Sequence, residues 1–118
     1  MLIEDTLAVI KDLLENDPSL KDRTSIPAKD ILQLTRLVLT KTSFLFNGII
    51  YKQTDGVAMG GPASSVVAEI FMLMFEDVAL TTTDHPPKVW ERHVDDCFLI
   101  IKELNLNMFF HHVNNLHP

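Results

Sequence analysis

Apolar residues recur along the first third of the chain at the spacing of a helix. Ile3, Leu7, Ile10 and Leu14 fall at i, i+4, i+7 and i+11, with Leu2, Val9 and Leu13 widening the stripe, so Leu2–Asn16 reads as an amphipathic helix. Glu4 and Asp5 occupy its first turn, where negative charge complements the dipole, and Asn16-Asp17-Pro18 ends it. Asp17–Pro27 is polar and punctuated by prolines, which marks a connection. A second helix is expected over about Ala28–Thr42. Ile31, Leu34 and Val38, flanked by Leu32, Leu37 and Leu39, are available for burial, leaving Lys29, Arg36 and Lys41 for the polar side.

The period then shortens to that of strands. Phe44-Leu45-Phe46 and Ile49-Ile50-Tyr51 bracket Asn47-Gly48, the strongest short hairpin signal, because both central positions of a type I′ turn need positive φ. A glycine-rich loop follows, Gln53-Thr54-Asp55-Gly56-Val57-Ala58-Met59-Gly60-Gly61-Pro62, with Pro62 suited to the first position of a helix over about Pro62–Leu80. Val66, Val67, Ile70, Phe71, Met74, Phe75 and Val78 give that helix a broad apolar face. Thr81–Lys88, with Pro86-Pro87, is a loop in which His85 reads as a surface residue. Two β-rich runs, Val89–His93 and Cys97–Ile101, flank the adjacent acids Asp95 and Asp96, which predicts a tight hairpin with both carboxylates at its tip. A last helix, Asn105–Leu116, presents Leu106, Phe109, Phe110 and Val113 on one side.

Composition narrows the classes. A chain of 118 residues, 47% hydrophobic and with only 4 glycines, can bury a core and reads as one folded domain. Its single cysteine, Cys97, falls in a strand expected to be buried, which excludes disulfides and cysteine-based metal sites. Acids at Glu4 and Asp5 stand where a secretion signal needs basic residues, and no apolar run approaches the roughly 20 residues of a membrane span. An intracellular location, the nucleus included, is the expectation, with no membrane partner. The formal charge of −6 opposes a tight grip on nucleic acid by this piece alone, since phosphate binding depends on Lys and Arg releasing counterions.

Two stretches carry candidate chemistry. One acid in a turn is ordinary, but Asp95 and Asp96 repel one another beside the apolar run Phe98-Leu99-Ile100-Ile101. A solvated turn is one reading; a divalent cation held by hard carboxylate oxygens, together with substrate phosphates, is the other. The glycine loop entering a helix is either a plain junction or a place where backbone N–H groups meet phosphate or a nucleotide edge. His111, His112 and His117 do not make a metal site, because adjacent histidines on a helix diverge and no carboxylate or cysteine stands at ligand spacing.

Taken together, Gln53…Gly56-Val57-Ala58-Met59-Gly60-Gly61-Pro62…Ser64 resembles the template- and nucleotide-contacting loop of reverse transcriptases, and His93-Val94-Asp95-Asp96 resembles their Tyr-x-Asp-Asp hairpin. Phe44–Gln53 and Phe110–Pro118 resemble the Penelope-like retroelement members in particular. The resemblance implies an α/β (α+β) fold: a partial polymerase palm over residues 1–118, truncated at both ends, whose antiparallel sheet of Phe44–Gln53, Val89–His93 and Cys97–Ile101 carries the Asp-Asp hairpin and is backed by helices. It implies Asp95 as the principal and Asp96 as the supporting catalytic ligand for Mg²⁺ or Mn²⁺, and His93 on the primer side. Gln53, Gly56, Met59, Gly60, Gly61 and Pro62 would meet nucleotide and template. RNA template, DNA primer and dNTP are the partners implied for the complete enzyme.

The sequence departs from the family pattern at His93, where Tyr is usual, at Gly61, where Ser or Thr is usual, and at Ser65, where Pro is common. The family's first catalytic aspartate lies on a strand before the first helix, and neither Asp5 nor Asp55 stands in its place. The isolated chain is therefore expected to be inactive. The alternatives are a non-enzymatic interaction module derived from such an element, and an unrelated acidic α/β domain with a chance Asp-Asp turn.

Overall fold

The computed structural model describes residues 3–54 and 56–116. Among these residues helices and strands alternate in blocks: α1 (Ile3–Glu15), α2 (Leu20–Arg23), α3 (Ala28–Thr40), β1 (Ser43–Phe46), β2 (Ile49–Lys52), α4 (Ser64–Thr81), β3 (Val89–His93), β4 (Asp96–Ile100) and α5 (Glu103–Leu116). The class is α+β. Among the described residues the strands do not join into one antiparallel floor as expected; β1 pairs with β2 and β3 with β4, in two separate two-stranded sheets. The chain divides into two compact units, Met1–Phe71 and Met72–Pro118, the boundary falling within α4.

In the first unit α1 packs on α3. Leu7, Ile10, Leu39 and Val67 form a buried cluster, with Ile3, Leu14, Leu32, Val57, Ala63 and Ile70 against it. Each fully buried aliphatic side chain contributes on the order of 1.5–3 kcal/mol relative to exposure. The expected faces were too wide. Leu13 is 53% exposed on α1, and Leu34, Leu37 and Val38 are exposed on α3. Apolar residues run almost all round the second half of α3, so periodicity alone does not choose a face; Leu32 and Leu39, two turns apart, are the ones that meet α1. Across the same contact, Arg36 donates from both terminal nitrogens to Glu4, at 2.5 and 2.7 Å. The expected connection Asp17–Pro27 contains a helical turn, α2. Its entry is organised by Asp17, whose carboxylate accepts the Ser19 hydroxyl (2.7 Å) and the Ser19 backbone N–H (2.9 Å) and pairs with Arg23. These bonds, that of the Ser19 hydroxyl first, hold the Asp17 carboxyl below its ordinary range.

The β1–β2 hairpin forms at the expected turn. Asn47 and Gly48 have φ of 49° and 76°, Phe46 faces Ile49, and the rings of Phe44 and Tyr51 stack at 5.6 Å. All eight strand residues are exposed.

In the second unit the later turns of α4 and helix α5 carry the β3–β4 hairpin. Residues opposite one another share a face, so Trp90/Leu99 and Arg92/Cys97 point to one side, while Val89/Ile100, Glu91/Phe98 and His93/Asp96 point to the other. The first side is the packed one. Phe109 of α5, 2% exposed, meets Trp90 edge-on at 5.9 Å. His112 Nε2 lies 3.1 Å from the Thr82 hydroxyl and 3.2 Å from the Ala79 carbonyl, tying α5 to the end of α4. Leu106, Phe109, Phe110 and Val113 line one groove from the same side of α5, as expected, although Leu106 and Phe110 are exposed.

Candidate functional site

Asp95 and Asp96 are not both at the tip. Asp96 is the first residue of β4, paired with His93, and the two-residue turn is Val94-Asp95. Val94 has φ of 58°, while Asp95 is not in the positive-φ region. That is the φ signature of a type II′ turn, whose first central residue is normally glycine. A β-branched residue is disfavoured there by sterics, at a cost on the order of 1–2 kcal/mol. The turn has a consequence for the carboxylates. Asp96 is fixed by strand pairing on the face that also carries His93, and Asp95 projects from the turn; all three residues are exposed.

Behind the turn stands a buried ion pair that the sequence reading missed. Glu76 of α4 accepts from Arg92 Nε at 2.6 Å and from the indole N–H of Trp90 at 3.0 Å, both at the same oxygen. The side chains of Arg92 and Glu76 are 6% and 12% exposed. A second guanidinium nitrogen of Arg92 donates to the carbonyl of Val94 at 3.1 Å. Two signals point to this arrangement once helix and strand are placed: Glu76 interrupts the apolar face of α4 between Phe71 and Ala79, and Arg92 alternates with Trp90 on the packed side of β3.

Cys97 was expected to be buried and is exposed. Desolvation against the apolar wall nevertheless raises its thiol pKa, with Glu76 adding, Arg92 opposing and Asp96 adding. That wall is a groove of about 210 Å³ lined by Trp90, Cys97, Leu99, Leu106, Phe109, Phe110 and Val113.

The glycine-loop candidates belong to the first unit. Val57 and Ala63 pack on its core, which anchors the loop at both ends. Gly56 and Gly60 have φ of 73° and 77° and use the freedom expected of them. Gly61 does not need positive φ; it is required by space, because a Cβ there would collide with the Ser64 hydroxyl and stand 3.2 Å from the Ala58 carbonyl. Ser64 donates to that carbonyl at 2.6 Å. This bond, with Gly61 N–H to Ala58 at 3.2 Å and Ser64 N–H to Gly61 at 3.1 Å, winds the loop into successive turns. Pro62 lies inside those turns, so α4 begins at Ser64 and not at Pro62 as expected. Met59 is fully exposed, at 102%. Gln53 and Gly56 line a pocket of about 240 Å³ with Ile3, Leu39, Thr40, Lys52 and Thr54. Asp55 and His117 lie outside the described residues.

The structure thus brings together His93, Asp95 and Asp96 at one hairpin end, and Gln53, Gly56, Met59, Gly60, Gly61 and Pro62 in one loop. Among the described residues, no group of three or more His, Cys, Asp or Glu side chains converges as a metal site, and no helix is long and apolar enough to cross a membrane. No family model matches the chain, and no curated protein or solved structure was found similar to it.

Proposed function

We propose that this chain is part of the palm of an RNA-directed DNA polymerase, a reverse transcriptase of the Penelope-like retroelement kind, and that Asp95 and Asp96 are acidic ligands of its nucleotidyl-transfer centre. The observation that carries the reading is the two-residue turn: it exposes two adjacent carboxylates, one fixed by strand pairing beside His93 and one projecting from the bend. Their hard, anionic oxygens fit Mg²⁺ or Mn²⁺, which prefer one or two carboxylates plus phosphate oxygens. Bound there, the cation would supply positive charge where attacking and leaving oxygens become more negative. Asp95 is the principal ligand and Asp96 the supporting one, and His93 lies on the primer side. Gln53, Gly56, Met59, Gly60, Gly61 and Pro62 contact nucleotide and template, the glycines by letting backbone approach closely.

Two carboxylates from one hairpin end are fewer donors than a two-ion centre uses, and a net charge of −6 gives this chain little hold on a duplex. The complete enzyme would add acidic ligands and a basic surface for RNA template and DNA primer. The isolated chain is expected to bind Mn²⁺ weakly at the hairpin and to extend no primer. The test is Mn²⁺-induced broadening of amide resonances, followed by primer extension. Broadening at residues 93–97 that disappears in Asp95→Asn/Asp96→Asn supports the reading; Mn²⁺ that leaves those amides sharp removes it, and robust extension by the isolated chain overturns the expected inactivity.

A second reading, a retroelement-derived interaction module, is favoured by one observation: Phe44, Leu45, Phe46, Ile49, Ile50 and Tyr51 expose apolar surface on both faces of the β1–β2 hairpin. A module of that kind would be indifferent to loss of the two carboxylates.

A further inference from the structure

We propose that Glu76 and Arg92 are positioning residues that hold the left-handed turn at Val94, and through it the presentation of Asp95 and Asp96. The proposal rests on the polymerase reading for the purpose of the turn, and on geometry alone for its mechanism. Val94 occupies a conformation that its own side chain opposes, with φ of 58°. Something outside the turn must favour that conformation. The bond from Arg92 Nη1 to the Val94 carbonyl, 3.1 Å, reaches the residue concerned. Arg92 in turn cannot swing away, because its Nε is held by Glu76 at 2.6 Å in a largely water-free setting. Glu76 is itself oriented by the Trp90 indole N–H at 3.0 Å on the same oxygen. The chain of contacts therefore runs from helix α4, through strand β3, to the backbone immediately before the first carboxylate. Neither residue touches the proposed metal position, so neither is a ligand.

Removing Arg92 alone would strand a buried carboxylate and risk unfolding, whereas removing both charges leaves only the neutral Trp90 indole N–H without its acceptor, a smaller penalty than an unpaired buried charge. The test therefore uses Glu76→Met/Arg92→Met in the full chain, with and without Val94→Gly, since glycine takes positive φ without steric opposition. Two readouts are followed: hydrogen exchange of the His93 and Asp96 amides without metal, and Mn²⁺ affinity from broadening at residues 93–97. The double variant is expected to exchange about tenfold faster at those amides and to bind Mn²⁺ several-fold more weakly, a tenfold change corresponding to about 1.4 kcal/mol. Val94→Gly on that background is expected to restore both. Wild-type exchange in the double variant, or loss that Val94→Gly fails to restore, overturns the proposal. If Mn²⁺ affects no hairpin amide even in the wild type, the polymerase reading fails, and the exchange data still decide whether Glu76 and Arg92 hold the turn.

Discussion

Truncating Phe109 to alanine removes the buried aromatic ring by which α5 holds the β3–β4 hairpin. The ring is 2% exposed and meets Trp90 edge-on at 5.9 Å with planes 71° apart. Loss of a buried Phe costs about 3–5 kcal/mol, the sum of lost transfer energy and the cavity left behind. About 0.5–1.5 kcal/mol of that is the aromatic pair itself. The ring lines the same groove as Trp90, Leu99, Leu106, Phe110 and Val113, so truncation enlarges an opening that is already there. The assay is urea unfolding followed by the fluorescence of Trp90, the only tryptophan in the chain and a direct contact of the missing ring. With a slope of about 1.5 kcal/mol per molar urea, a loss of 3–5 kcal/mol moves the midpoint down by about 2–3 M. Phe109→Leu, which retains most of the apolar volume, should lose less than half as much. A midpoint shift in Phe109→Ala worth less than about 1 kcal/mol would refute the claim that this ring secures α5 to the hairpin.

Gly48 has nothing within 4 Å of the position a Cβ would take, so Gly48→Ala tests the φ of 76° alone. It should cost about 1–2 kcal/mol and weaken the Phe44–Tyr51 ring contact; thermal unfolding together with nuclear Overhauser contacts between those rings is the check, and an unchanged melting temperature counts against the type I′ assignment. The Cys97 thiol, exposed but held protonated by desolvation and by the Glu76 and Asp96 carboxylates, should alkylate at pH 8 more slowly than cysteine in a flexible peptide. Its rate should keep climbing at pH values where the peptide has levelled off, and Asp96→Asn should speed it; peptide-like kinetics would contradict the assigned environment.

Much of the local structure was legible because it is written in short signals. Asn47-Gly48 fixes a two-residue turn, and α1, β3 and the latter part of α5 lie within a residue or two of where period and stop signals place them. Depth and pairing were less legible. Leu34, Leu37 and Val38 satisfy helical periodicity as well as Leu32 and Leu39 do, and only the position of α1 decides between them. The Asp-Asp hairpin was expected from its flanking strands, but the expected tip was off by one residue. Val94 is a poor turn former, so its positive φ runs against local preference, and the guanidinium that bonds its carbonyl is not recognisable as a turn signal. The same applies to Glu76: α4 also carries Glu69 and Asp77, and nothing in the sequence singles out Glu76 as the buried acid or identifies Arg92 and Trp90 as its donors until the strand is placed.

The buried cluster of the first unit has a consequence for how the chain is made. Leu7, Ile10 and Leu39 are completed by Val67, which leaves the ribosome about 60 residues after Leu7; at translation speeds of about 5–20 residues per second, that is a wait of several seconds. During that interval α1 and α3 can meet but cannot be sealed, and the apolar stripe they share stays open to water. Holdase chaperones or the ribosome surface are the natural shields for it, and slower translation between Leu39 and Val67 lengthens the vulnerable period without changing any contact of the finished molecule.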